Sequence, residues 1–312
     1  MTVTTIGIDI GGSSVKAVAR ELSGEIVARH DSTIWLDGGD QVVNAAVEAW
    51  RALERSDAVA VGVGVPGQVD PTTGEVSLAV NLGIDSPYRL GDQIVREIGL
   101  PVVVENDVRA AALGAHETLG FTGAPPDSLA LVSIGTGISA GVVVEGSMLR
   151  GSRGMAGEVG HVVVDPEGPV CPCGQRGCLE VLAAGPAIGK AWPKGDANAP
   201  ATALFEAAAA GDPEARRVAD GITGHITTAL TWLAATYDTA VIVLAGGVSS
   251  VGDAFLSAIH DQIIRRAATS ELAARRLQPD QVILADVFDP PGTRGAALLA
   301  AMEVPRERES PA

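Results

Sequence analysis

The stretch from Glu158 to Glu180, EVGHVVVDPEGPVCPCGQRGCLE, constrains this chain more than any other. It contains His161, Cys171, Cys173 and Cys178, and those three cysteines are the only ones in 312 residues. Thiolate sulfur and imidazole nitrogen are ligands that zinc prefers, and Cys3His is one of its closed structural arrangements. Glycines in the Cys-x-Cys-Gly-x-x-Gly-Cys run permit tight turns that aim three sulfurs at one point. The reading is a Zn2+ site ligated by His161, Cys171, Cys173 and Cys178. Two carboxylates, Glu158 and Glu180, bracket it.

The rest of the chain can surround such a site with a large core, because 46% of its residues are hydrophobic and its length suggests two domains. A formal net charge of −16 repels phosphate backbones and anionic membranes, so neither nucleic acid nor a membrane is an expected partner. No run of about 18 apolar residues marks a membrane span. The first apolar strand begins by Val3 with no basic segment before it, so no signal peptide is expected. Three cysteines committed to a metal, with none left to bridge, fit a reducing cytoplasmic setting.

Read in order, Thr2 to Ile10 is β-branched and apolar and predicts a strand. Asp9-Ile10-Gly11-Gly12-Ser13-Ser14-Val15-Lys16 then turns the chain back into a second strand. Glycine and serine at such a tip can present N–H groups and hydroxyls to a phosphate, though an ordinary hairpin turn has the same composition. Asp40 to Ser56 has helical spacing, and the continuous apolar run Val59 to Val65 predicts a buried strand leading into Pro66-Gly67. Leu90 to Ile98 reads as a helix. Val102-Val103-Val104-Glu105-Asn106-Asp107 is a buried strand with a helix, Val108 to Leu119, starting at once. Functional groups of open α/β sheets gather at such carboxyl ends. Asn106 or Asp107 could equally serve as a helix cap.

The Gly/Pro-rich stretch Phe121 to Ser128 predicts a domain boundary. Beyond it, LVSIGTGISAGVVV repeats the plan of IGIDIGGSSVKAVA, strand, small-residue turn, strand, which suggests two halves of common architecture. Helices are predicted over Ala183 to Ala191, Ala201 to Ala210, Pro213 to Tyr237 and Phe255 to Arg266, with Gly221 and Gly224 permitting close packing of the third. Strands are predicted over Thr239 to Leu244, which ends in Gly246-Gly247, and over Gln281 to Ala285. A last helix, Gly292 to Met302, is expected to cross back to the first domain, and the tail from Pro305 to be disordered.

Glu-x-Gly-His followed by Cys-x-Cys-Gly-x-x-Gly-Cys-x-Glu resembles the signature of the ROK family (repressors, open reading frames and sugar kinases), and the resemblance runs from Ile6 to about Leu299. It implies an α/β, two-domain actin-like (ribonuclease H-like) ATPase fold with a cleft between the domains. Residues 1–120 with a helix over about 290–303 would form one domain and 121–289, carrying the zinc loop 158–180, the other, leaving a tail at 304–312. The implied activity is transfer of a phosphoryl group from ATP to a hydroxyl, O6, of glucose or a related amino sugar. Asp107 would be the general base. Pro66, Gly67, Asn81, Asn106, Glu158, His161 and Glu180 would meet the sugar. Asp9, Gly11, Gly12, Ser13, Ser14, Lys16, Gly135, Thr136, Gly137, Gly246 and Gly247 would hold ATP with Mg2+, and the zinc would be structural. A homodimer or homotetramer is implied. Rival readings are a polyphosphate-dependent glucokinase and a non-catalytic sugar-binding regulator. The core starts too early for a preceding DNA-binding segment, and Asp107 is retained. Two departures, Asp107-Val108-Arg109 where the family often reads Asp-Ala-Asn, and Gly83-Ile84-Asp85 where many glucokinases place an aromatic residue, bear on which sugar is taken.

Overall fold

The computed structural model describes residues 3–121, 123–196, 198–286 and 289–304. The start of the first strand at Thr2 and the tail from Pro305 lie outside the described residues. The chain divides into two units, one of Met1–Thr122, Arg150–Met155 and Phe288–Ala312, the other of Gly123–Leu149 and Ala156–Val287. Arg150–Met155, which the sequence reading put in the second domain, therefore groups with the first unit.

The first unit opens with β1 (Thr4–Ile10), β2 (Ser14–Glu21) and β3 (Ile26–Thr33), then α1 (Gly39–Ala52) and β4 (Ala58–Val65). A small hairpin, β5 (Gln68–Asp70) and β6 (Glu75–Ser77), precedes α2 (Leu90–Ile98), β7 (Val102–Asn106) and α3 (Asp107–Phe121). Its sheet runs β3-β2-β1-β4-β7. β1, β2 and β3 pair antiparallel, and β1, β4 and β7 pair parallel. Asp9 is opposite Gly64, and Val65 opposite Asn106, so the carboxyl ends of three strands meet at one edge.

The second unit repeats the plan. It contains β8 (Ser128–Ile134), β9 (Ile138–Val144), β10 (Ser147–Met148), α4 (Leu179–Ala183), α5 (Gly185–Ala191), α6 (Pro200–Ala209) and α7 (Pro213–Tyr237). β11 (Val241–Ala245), α8 (Asp253–Ala267), α9 (Glu271–Arg276) and β12 (Val282–Leu284) complete it. Its sheet runs β10-β9-β8-β11-β12, antiparallel on one side of β8 and parallel on the other, as in the first unit. Helix α7 starts at Asp212, whose carboxylate accepts the Glu214 and Ala215 N–H groups, with Pro213 fixing the first turn. It buries Ile222, Ile226, Leu230 and Leu233 on one helical face, and behind it Phe205 and Phe255 pack edge to face at 5.3 Å.

The last described helix, α10 (Pro291–Glu303), lies on β1 and β4 of the first unit. Two strand glycines make this possible. A Cβ at Gly7 would stand 2.0 Å from the Thr293 carbonyl and one at Gly62 1.8 Å from that of Ala296. With this helix on the sheet, β1 and β4 are buried almost end to end, which is why both read as apolar runs rather than alternating ones.

Three expectations change. The helix predicted over Ala183 to Ala191 is α5 and starts at Gly185, preceded by a separate short helix, α4, that ends at Ala184 with its extended backbone (ψ 165°). The β5–β6 hairpin and α9 were not anticipated, being too short to show a period. Gly221 and Gly224 do not serve close packing: an added Cβ at Gly221 meets open space, and at Gly224 only ordinary contact with Gln262.

Candidate active site

The first cluster sits where β1, β4 and β7 end. Asp9 and Lys16 face each other across β1 and β2. Burial pushes the Asp9 carboxyl up to about 7, the charge of Asp107 adds to the rise, and Lys16 opposes it. Close above Asp9 is the first turn of α10, where a Cβ on Gly292 would stand 2.3 Å from Asp9 Oδ2. The Gly11–Ser14 turn is closed by Gly11 N–H donating to the Ser14 carbonyl at 2.8 Å. Gly12 abuts Asn81, an exposed residue of the short turn Val80–Leu82. Gly67 packs on Ala79 just before that turn, and its carbonyl accepts a hydrogen bond from Asn106 Nδ2 at 3.2 Å.

Between Asn106 and Asp107, the structure gives the helix cap to Asn106. Its Oδ1 accepts the N–H groups of Val108 and Arg109, both at 3.1 Å. Asp107 turns Oδ1 onto the Val108 N–H at 2.9 Å. Having given one N–H to Gly67, the Asn106 amide keeps a single donor for a ligand. Asp107 itself is half-buried at the start of α3, where backbone dipoles favour an anion.

The second unit gathers a corresponding group. The Gly135-Thr136-Gly137 turn follows β8, and Gly135 lies 3.9 Å from Gly247 measured from an added Cβ to the amide nitrogen. Gly246 has φ 88° and sits on Ile134, so any side chain there would be strained and would collide. Glu180 reaches the same turn, its Oε2 accepting the Ile138 N–H at 3.0 Å. The segment before the cysteines is laid on β9, with Ala140 N–H donating to Gly157 O at 2.8 Å. A Cβ on Gly160 would come within 2.1 Å of the Ile138 carbonyl. Glu158 stands exposed on this segment.

His161, Cys171, Cys173 and Cys178 converge as expected, their ligand atoms all within 4.8 Å of one another. Cys171 Sγ is 3.8 Å from His161 Nδ1, and the sulfurs of Cys173 and Cys178 are 3.6 Å apart. Tetrahedral zinc with ordinary bond lengths sets its ligands about 3.5–3.8 Å apart, so the residues fit the ion. Nδ1 faces the cluster, which leaves Nε2 of His161 on the other side of the ring. The backbone N–H of Gln175 pulls the Cys173 thiol down to about 6, while burial pushes that of Cys178 up to about 12.

Sequence reasoning missed a charged group beside the proposed base. Glu105 is fully buried and is bound by Arg109 Nε at 2.8 Å, Arg150 Nε at 2.6 Å and the Asn106 N–H at 2.8 Å. Arg109, the departure from the family pattern, is thus turned inward, and its Nη1 donates to the Gly154 carbonyl. Ile84, in the other departure, is buried as well. A glutamate closing an apolar strand, with an arginine four positions on, was the visible signal; Arg150 had none.

A family model described as the ROK family matches residues 5–303 of this chain. A glucokinase of Halalkalibacterium halodurans is 35% identical over 277 residues, covering 81% of this chain and 83% of that protein. An N-acetylmannosamine kinase of Yersinia pseudotuberculosis is 31% identical over 243 residues, covering 78% and 82%. Among solved structures, a ROK family glucokinase from Streptomyces griseus in complex with glucose and AMPPNP superposes with a TM-score of 0.80 at 31% identity, over 96% of this chain and 99% of that one.

Proposed function

We propose a function from one premise, that this chain belongs to the ROK family: it is an ATP-dependent hexose kinase acting on O6 of glucose or a related amino sugar. The observation that carries the reading is the placement of Asp107 where three parallel strands end, oriented by Val108 and backed by the Asn106 cap.

Asp107 is the general base. It takes the hydroxyl proton as the sugar oxygen attacks the γ-phosphorus, a role worth about 10²–10⁴-fold in rate. The N–H groups and hydroxyls of Gly11, Gly12, Ser13 and Ser14, and those of Gly135, Thr136 and Gly137, are donors suited to phosphate oxygens. Gly246 and Gly247 leave room for the adenosine. Asp9, with Lys16 opposite, would hold Mg2+ through water, and that cation would neutralise charge on the phosphates. On the sugar, Pro66 and Gly67 offer a backbone wall, and Asn81 and the remaining Asn106 N–H offer amide groups. Glu158, His161 through Nε2, and the second oxygen of Glu180 suit a polyhydroxyl ligand. The Cys3His set would hold Zn2+ as a structural ion that shapes the 158–180 segment. Arg109 is buried, with Nε on Glu105 and Nη1 on the Gly154 carbonyl, while its Nη2 is buried without a partner.

The test is ADP release with ATP and Mg2+ across hexoses, 2-acetamido sugars and amino sugars, with Asp107→Ala alongside. One sugar should give turnover at least about 100-fold above Asp107→Ala. Silence across the panel from folded protein, or near-normal turnover by the variant, would overturn the reading.

A further inference from the structure

Glu105 carries more positive charge than it needs. The carboxylate is completely buried, and Arg109, four residues on and itself buried, already pairs with it through Nε. Removing one partner of such a pair is costly, but a neutral pair requires no third member. A second guanidinium nevertheless donates to the other oxygen, and Arg150, at 38% side-chain exposure, comes from a distant part of the sequence. It opens the segment Arg150–Met155, which is fastened to the first unit twice more. Arg109 Nη1 donates to the Gly154 carbonyl at 2.9 Å, and Gln68 Nε2 donates to that of Arg153 at 2.8 Å. Gln68 follows Gly67 directly, so both fastenings are next to residues of the proposed sugar site.

The oxygens of Glu105 divide the work. Oε1 holds Arg109 and the backbone N–H of Asn106, and Oε2 holds Arg150. The peptide that leads into Asp107 therefore hangs from the same carboxylate that Arg150 orients. With Arg150 gone, Glu105 can rotate toward Arg109, the Asn106 amide loses a fixed acceptor, and the base shifts. Misplacement of a reacting group by about 1 Å can cost about 100-fold in rate.

We propose that Arg150 is a positioning residue for phosphoryl transfer: acting through Glu105, it locks the Asn106–Asp107 turn in place and docks the Arg150–Met155 segment against it. The proposal rests on the kinase reading above, and its test separates the two.

Arg150→Ala removes a part-exposed side chain and should fold. We expect its kcat to fall about 10–100-fold while the KM values for sugar and ATP stay within about three-fold. Arg150→Lys, which restores a donor to Oε2, should lie between the variant and the native enzyme. Arg275→Ala, which breaks an exposed pair on α9, should be unchanged. Amide hydrogen exchange supplies a readout independent of turnover: Asn106, Val108 and Arg109 should exchange at least about five-fold faster in Arg150→Ala, with β8 and β11 unaltered. A variant kcat within two-fold of native, a loss expressed mainly in KM, or unchanged exchange would overturn the proposal. If native protein phosphorylates no sugar, the kinase reading fails instead, whatever Arg150→Ala does.

Discussion

At the scale of single residues, the site depends on charges held where water is scarce, and Asp9 gives the sharpest consequence. Its folded pKa, about 7, stands well above the unfolded value of 3.8. Between those values the folded chain binds the proton that the unfolded chain has released, so stability falls as pH rises from about 4 to about 7 and is level above. Asp9→Asn abolishes that slope. Urea unfolding without Mg2+ should show the variant more stable than native protein at pH 8, by on the order of 1–4 kcal/mol, and little different at pH 4. A difference that does not change with pH would exclude Asp9 as the source. Of these charged residues, Asp9 and Asp107 stand out in the sequence through the likeness to the ROK family, since position alone at a strand end fits a plain turn or a helix cap as well. The cap at Asn106 was legible only as one of two options, since Asn and Asp cap equally well. Arg150 was not legible, because nothing local reveals that a surface arginine will find a buried glutamate 45 positions away.

Elements meet in this protein through apolar cores with glycine at the closest approaches, and two glycines of the second unit make different predictions. A Cβ on Gly160 would strike the Ile138 carbonyl, which is backbone at the start of β9, held by pairing with Ile134 of β8, and yields little. Gly160→Ala should therefore lift the 158–161 segment from β9 and cost about 1–3 kcal/mol, seen as a lower thermal midpoint. A Cβ on Gly137 would meet only the carboxylate end of Glu180, at 2.5 Å, and that side chain can swing aside. Gly137→Ala should cost less than about 1 kcal/mol but break the Glu180 bond to Ile138 and reduce turnover about ten-fold or more. If both variants lose stability alike with turnover intact, Glu180 is only a structural support for the turn. The Gly135–Gly137 turn was visible in the sequence as a small-residue turn between two strands, and the segment of Gly160 as part of the Glu-x-Gly-His signature. The sequence could not show that Glu180, read as a sugar ligand, also bonds the turn proposed to hold phosphate, since that contact joins elements more than 40 positions apart. Short elements escaped for a related reason: three-residue strands and the six-residue α9 are made by their contacts rather than by any period of their own.

Across the whole molecule, the resemblance between IGIDIGGSSVKAVA and LVSIGTGISAGVVV held a great deal of the fold. Each stretch became the central antiparallel pair of a five-stranded sheet, and the two sheets have the same order and directions. The α/β actin-like ATPase fold that the family likeness implied is the one found, and no described helix is long and apolar enough to cross a membrane. The units differ in how they are held. The first is closed by α10 on its sheet, a packing of apolar side chains and glycines. In the second, the 158–180 segment has few buried side chains, and its cysteines and histidine converge where no hydrophobic cluster could replace them. A bound structural metal contributes folding free energy directly, because the unfolded chain offers no preformed site. Purified protein should thus contain about one zinc per chain. Removing it with a chelator should lower the thermal midpoint and speed exchange of the Leu179 and Ala140 amides, whose acceptors are Val162 of that segment and Gly157 just before it. Amides of β1, β4 and β7 should keep their protection, because the first unit contains none of the four ligands. Cys171→Ser should reproduce the chelated state without chelator. A metal-free protein with an unchanged midpoint would show that the four residues gather for packing alone, and loss of protection in both units together would show that the metal supports more than the segment it ties.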